Sequence, residues 1–152
     1  MQLAHRLYQC IDIEGYTVCL ITYMRSFGPQ ISHVPISDSS SFIPKNHVKE
    51  YLPDTPTNYK GKKAKNAQEA HEAIRPTDVS REPSQMKKYL STDQSKLYEL
   101  IWNRAVASQM NPAEFDRKSI TIESENKNIT CKANGSTVKF EGYLKIYKFD
   151  EK

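Results

Sequence analysis

Apolar and polar positions along this chain change period once, and the change divides it. In residues 2–12, Leu3, Ala4, Leu7, Tyr8 and Ile11 recur at helical spacing, which predicts a short amphipathic helix. Residues 12–16 read as a turn. The run Thr17-Val18-Cys19-Leu20-Ile21-Thr22-Tyr23-Met24-Arg25, rich in β-branched and apolar residues between Gly15 and Gly28, predicts a short buried strand. Residues 26–46 hold Pro29, Pro35, Pro44 and the serines Ser37, Ser39, Ser40 and Ser41 with no sustained period, so they read as loop. A second loop over 51–65 carries Pro53, Pro56 and Gly61 beside the basic cluster Lys60, Lys62, Lys63 and Lys65. A helix is expected from Asn66 or Ala67 to about Ile74, broken by Pro76. Residues 79–90 form a polar connector anchored by Met86 and Leu90. Ser91-Thr92-Asp93-Gln94 then gives a capping-box pattern. The helix it opens carries one stripe of Leu97, Leu100, Ile101, Arg104, Ala105 and Ser108, reaches Met110 and ends before Pro112. Tyr98 and Trp102 flank that stripe as core aromatics, away from any basic groove.

From Phe115 the period becomes two. Ile120 and Ile122 alternate with Thr121 and Glu123, and Ile129, Cys131 and Ala133 alternate with Thr130 and Lys132. Asn134-Gly135 is a type I′ hairpin signal, followed by Val138 and Phe140. Tyr143, Leu144, Ile146, Tyr147 and Phe149 continue a strand, making about three strands that need a surface to pack on. The expected fold is therefore α+β, with a mostly helical domain over 1–111 and the start of an antiparallel β-rich domain over 112–152.

Composition narrows the function classes little. The 152 residues are 38% hydrophobic with a net charge of +4, and mean hydropathy is -0.71 with a pI near 8.9. That balance permits a polyanionic partner without demanding one. No apolar run approaches the roughly 20 residues of a membrane span, and Met1-Gln2-Leu3-Ala4-His5-Arg6 lacks a secretory pattern. Cys10, Cys19 and Cys131 contain no C-x-x-C pair, so free, buried or half-buried thiols are expected, with neither a disulfide framework nor a zinc site. Without a signal peptide, the glycosylation patterns at Asn128 and Asn134 are chance matches. Neither a glycine-rich phosphate loop nor a paired-carboxylate metal site is visible.

The chemistry lies in Tyr23 and Arg25. An aromatic at a strand end is usually core packing. Residues two apart in a strand share a face, however, so Arg25 would sit beside the phenol. A phenol with a pKa of about 10 is a poor nucleophile at neutral pH. A neighbouring cation favours the phenolate and also binds phosphate. This is the chemistry of a tyrosine attacking a phosphodiester.

Leu20-Ile21-Thr22-Tyr23-Met24-Arg25 resembles the active-site segment of bacterial type IA DNA topoisomerases. Asn66-Ala67-Gln68-Glu69-Ala70-His71-Glu72-Ala73-Ile74-Arg75-Pro76-Thr77-Asp78 resembles that family's second active-site motif. Lys96-Leu97-Tyr98-Glu99-Leu100-Ile101-Trp102-Asn103-Arg104, continued by Ala107-Ser108-Gln109-Met110, resembles the helix that follows. The resemblance implies that Tyr23 is the nucleophile, left joined to a 5′ phosphate of single-stranded DNA. Arg25 and His71 would complete the catalytic set, with His71 near the scissile phosphate as donor or proton carrier. Arg75 would clamp phosphate or cap its helix. Lys60, Lys62 and Lys63 would contact DNA or form a solvated loop. The resemblance further implies Mg2+ held by acidic residues of a separate domain, and partners in that domain and in the other DNA-binding domains of the same enzyme. No metal ligand is assigned to this chain, and a monomer in the cytoplasm, at the nucleoid, is expected. One departure stands out. The family usually has threonine, aspartate and serine after the arginine, where this chain has Ser26, Phe27 and Gly28. The missing aspartate supports an alternative reading, a catalytically inert DNA-binding or structural segment.

Overall fold

The computed structural model describes residues 1–24, 49–55, 57, 59, 72–124, 126 and 129–147. Helix α1 (Gln2–Tyr8) is followed by a small antiparallel hairpin of β1 (Ile11–Ile13) and β2 (Tyr16–Val18). A 3-10 turn at Lys49–Tyr51 precedes α2 (Pro83–Met86) and α3 (Thr92–Ala107). The long strands β3 (Glu114–Glu123) and β4 (Thr130–Phe140) pair antiparallel, and a 3-10 turn at Gly142–Lys145 closes the described chain. The fold is α+β, as the periodicity predicts.

α1 stops at Tyr8, short of the expected residue 12. Ile11 and Ile13 alternate with Asp12 and favour a strand, β-branched residues being stiff in a helix. Asp12 pairs with Thr17, whose hydroxyl donates to the Asp12 carboxylate at 3.0 Å. Glu14 and Gly15 both have positive φ, +52° and +86°, the sign pattern of a type I′ turn. The same register sets Cys10 opposite Cys19, beyond the Ile11–Val18 pair, and the two are joined by a disulfide with Cα atoms 3.9 Å apart. The expectation of free thiols therefore fails for this pair: hairpin pairing brings together cysteines whose spacing carries no motif. Cys131 is free, but exposed instead of buried.

The core gathers Leu7, Leu20, Ile21, Val79, Met86, Tyr98, Trp102, Val106 and Met110. α3 has its expected capping box: Ser91 accepts from the Gln94 backbone N–H, and the Gln94 side chain accepts from the Ser91 N–H. Its buried face is rotated from the expected stripe. Ser95, Tyr98, Trp102 and Val106 point inward, whereas Leu100 is 52% exposed. The two aromatics win the inward face because each has a polar tip with a partner in the connector. The Tyr98 hydroxyl donates to the Arg81 carbonyl at 2.8 Å, and Trp102 Nε1 donates to the Val79 carbonyl at 2.9 Å. Val79 thus joins Met86 as a buried anchor of the connector, while Leu90 is half-buried against the core.

The β-rich part also departs from expectation. Asn134 and Gly135 do not turn the chain; they pair with Ser119 and Lys118 inside β4. The reversal falls between Glu123 and Thr130, and among the described residues two long strands stand where three were expected. Residues 142–145 coil into a 3-10 turn where a strand was expected, with Gly142 at φ +50°. Asn111 fastens this end. Its side-chain amide donates to the Glu50 and Leu52 carbonyls, and its own carbonyl accepts from the Tyr143 N–H at 2.9 Å.

Candidate active site

Tyr23 follows a short segment pinned from two sides. Leu20 and Ile21 are fully buried, and the Leu20 N–H donates to the carbonyl of Leu7 in α1 at 3.1 Å. On the other side, Ile21 bridges Pro76 in antiparallel fashion. The flanking bonds run from Thr22 N–H to the Arg75 carbonyl (2.9 Å) and from Thr77 N–H to the Leu20 carbonyl (3.0 Å). Ile21 and Pro76 are thus a non-hydrogen-bonded pair, the ladder position where proline's missing N–H costs nothing. Thr22 adds a second clamp: its hydroxyl donates to the Ala73 carbonyl and accepts from the Arg75 N–H, each at 3.1 Å. The expected regular strand over 17–25 is therefore replaced by β2 and a separate bridged segment ending at Thr22.

Beyond this clamp the Tyr23 side chain reaches solvent, being 42% exposed. Its ring meets the ring of Tyr8 edge-on, with centroids 5.3 Å apart and planes at 65°. A phenol presented at the surface on a fixed backbone suits a nucleophile better than a packing residue does.

Arg75 lies directly across from this segment. Residues 72–75 are not helical, so the expected helix does not reach Ile74, and Arg75 has no helix end to cap at that point. Glu72 grips its guanidinium with both carboxylate oxygens, at 2.9 and 3.2 Å, and Arg75 Nη1 donates to the Pro76 carbonyl at 2.9 Å. The pair is half-buried, with side chains 14% and 33% exposed for Arg75 and Glu72. The structure thus brings Tyr23 and Arg75 onto neighbouring antiparallel segments. Arg25, His71, Lys60, Lys62 and Lys63 lie outside the described residues. Sequence reasoning passed over Thr22, Tyr8 and Glu72. Glu72, three residues before Arg75, had a readable signal, whereas Tyr8 depends on a tertiary contact.

The sequence profile of the family described as DNA topoisomerase matches residues 1–152. DNA topoisomerase 1 of Rickettsia felis is 48% identical over 148 residues, 97% of this chain and 19% of that protein. The Xylella fastidiosa (strain 9a5c) protein of the same name is 43% identical over 149 residues, 97% of this chain and 18% of its own length. The chain belongs to the bacterial type IA DNA topoisomerase family. The solved structure of full-length topoisomerase I from Thermotoga maritima superposes with a TM-score of 0.83 at 31% identity, covering 99% of this chain and 23% of that one. The chain therefore spans about a fifth of the length of the curated relatives it matches. Among the described residues, no three or more His, Cys, Asp or Glu side chains come together to hold a metal ion. No helix among them is long and apolar enough to cross a membrane.

Proposed function

We propose that this segment, within its parent enzyme, supplies the nucleophile of a DNA strand-passage reaction. The Tyr23 oxygen attacks the phosphorus of a phosphodiester in single-stranded DNA, giving up its proton and forming a phosphotyrosine ester with the 5′ phosphate. The 3′ oxygen leaves and takes up a proton. After another strand has passed through the gap, that 3′ hydroxyl attacks the phosphorus, restores the phosphodiester and returns the phenol. The ester conserves the bond, so negative supercoils relax without ATP.

Arg25 offsets charge on the phosphate, His71 carries the proton, and Lys60, Lys62 and Lys63 contact the backbone of the DNA. Arg75 reaches phosphate by exchanging its Glu72 carboxylate for it. Magnesium, which offsets phosphate charge when bound, belongs in this reading to acidic residues elsewhere in a monomeric parent acting in the cytoplasm at the nucleoid. Residues 1–111 form the tyrosine-bearing unit and 112–152 the start of the β-rich arch.

One observation carries the reading: an exposed phenol follows a backbone held by Thr22 against residues 73–75. In the full-length parent, a covalent adduct with a single-stranded oligonucleotide is expected, and Tyr23→Phe removes it. An adduct that survives Tyr23→Phe overturns the assignment. The isolated 152-residue chain is expected to be inactive, and relaxation of supercoiled plasmid by it would contradict that. The substitution of the family's threonine, aspartate and serine by Ser26, Phe27 and Gly28 favours a second reading, an inert DNA-binding segment. Salt-sensitive oligonucleotide binding by the parent without any adduct would select it.

A further inference from the structure

The clamp on the site's backbone ends at Thr22, but the reacting atom is three bonds and a ring further out. Where the Tyr23 oxygen stands therefore depends on what limits its side-chain torsions, and a half-exposed ring has few such limits. The ring contact recorded for it among the described residues is Tyr8, edge-on at 5.3 Å. Edge-to-face pairs are directional, because the positive rim of one ring meets the negative face of the other. Tyr8 itself stands on a braced support. The preceding residue, Leu7, is fully buried and accepts the Leu20 N–H, while Cys10, two residues on, is bonded to Cys19. The two ties flank Tyr8 in the chain and both fall just before Tyr23, so they hold the Tyr8 backbone against the segment that leads to Tyr23.

We propose that Tyr8 is a positioning residue for the Tyr23 nucleophile, its ring selecting the side-chain rotamer that sets the phenol oxygen for in-line attack. This rests on the reading of Tyr23 as the nucleophile. Attack on phosphorus is sensitive to the approach of the oxygen, so loss of the ring lowers the rate of cleavage and leaves DNA affinity intact. The ring, and not the Tyr8 hydroxyl, does the positioning.

The test uses the full-length parent and a labelled single-stranded oligonucleotide. It measures single-turnover adduct formation at saturating oligonucleotide, affinity by fluorescence anisotropy, and thermal melting. Tyr8→Leu and Tyr8→Met are expected to slow adduct formation about 3- to 10-fold, the range of an aromatic pair's contribution, with affinity unchanged. Tyr8→Phe keeps the ring and is expected to cleave within about 2-fold of the parent. Wild-type rates in both Leu and Met variants overturn the proposal. So does a Tyr8→Phe variant as slow as they are, or a rate loss matched by an equal loss of affinity. Should either aliphatic variant fail to fold, the other decides. An adduct retained by Tyr23→Phe overturns instead the underlying assignment of the nucleophile, so the two failures are distinct.

Discussion

Among the described residues, two antiparallel hairpins are held in opposite ways. The β1–β2 hairpin has three residues per strand, yet Ile11, Ile13 and Val18 pack against the core and a disulfide closes its open end. The β3–β4 ribbon has strands of 10 and 11 residues, and every position of both is exposed except the half-buried Phe140. Ile120, Ile122 and Val138 face solvent. The ribbon meets the rest of the chain at its base, where Phe140 packs on Tyr51 with ring centroids 4.9 Å apart. The short hairpin is held by burial, the long one by its own ladder and cross-strand pairs. Strand length is thus no measure of a strand's place in a core, and an isolated two-stranded ribbon gains little from its side chains.

The largest expected effect follows from this contrast. Tyr98 is fully buried and its hydroxyl is bonded, so Tyr98→Ala is expected to cost about 3–5 kcal/mol in denaturant unfolding. Ile120, 60% exposed, is expected to lose less than about 0.5 kcal/mol on replacement by Ala. Comparable losses would erase the distinction between the two regions. Tyr98 also gives a pH signature. Burial, the largest influence, pushes its phenol well above the ordinary tyrosine range. The folded state therefore keeps the proton that the unfolded chain releases above about pH 10. Stability is full below that pH and falls as pH rises through and beyond it. An alkaline melting series should show the fall, and Tyr98→Phe should remove this part of it.

Next comes Gly142, at the base of the ribbon. Its φ of +50° is one that L side chains rarely adopt, and an added Cβ would collide with the carbonyl oxygens of Asn111 and Pro112. Both obstacles are backbone, which cannot swing aside. Gly142→Ala is expected to cost about 2–3 kcal/mol by strain and overlap together. A melting temperature equal to that of the parent would mean that the junction fastened by Asn111 is looser than its bonds imply.

Local signals were legible in the sequence, and the rest was not. The Ser91–Gln94 capping box is a contact between residues three apart, so the spacing alone defines it. The switch from helical to strand period near Pro112 reads equally well, because period is a local property. The inward face of α3 was misread because the connector's carbonyls at Arg81 and Val79 choose Tyr98 and Trp102, respectively, over Leu100, and they lie 17 and 23 residues away. Cys10 and Cys19 meet through the register of a hairpin that begins where a helix was expected. At the candidate site, the segment's residue types single out Tyr23, whereas the Thr22 clamp and the Tyr8 ring contact left no mark in the sequence, being products of tertiary pairing.

A smaller effect is expected at Thr22. Thr22→Val keeps the β-branched shape but removes the hydroxyl that bonds Ala73 and Arg75. The loss is expected to be about 1–2 kcal/mol, because the Ala73 carbonyl and Arg75 N–H lose their partner while partly buried. Thr22→Ser, which keeps the hydroxyl, should recover most of it. If Tyr23 is the nucleophile proposed above, adduct formation by the parent protein should track the same order, since the clamp fixes the backbone that carries Tyr23. Equal unfolding midpoints for Val and Ser would show that shape, not hydrogen bonding, aligns residues 22 and 73–75.

The smallest expected effect separates the two hairpins most cleanly. Gly15, with φ +86°, sits in a turn, whereas Gly135 lies mid-strand opposite Lys118 with open space around its would-be Cβ. In a strand, glycine contributes no side-chain packing and loses the most chain entropy on ordering. Gly135→Thr should therefore be neutral or stabilise by up to about 0.5 kcal/mol. At a type I′ turn the same change would be costly, since threonine strongly resists positive φ. A loss of more than about 1 kcal/mol would thus move the reversal of the ribbon to Asn134–Gly135, shift every cross-strand pair of β3 and β4, and return the β-rich region to the three short strands that its alternation suggests.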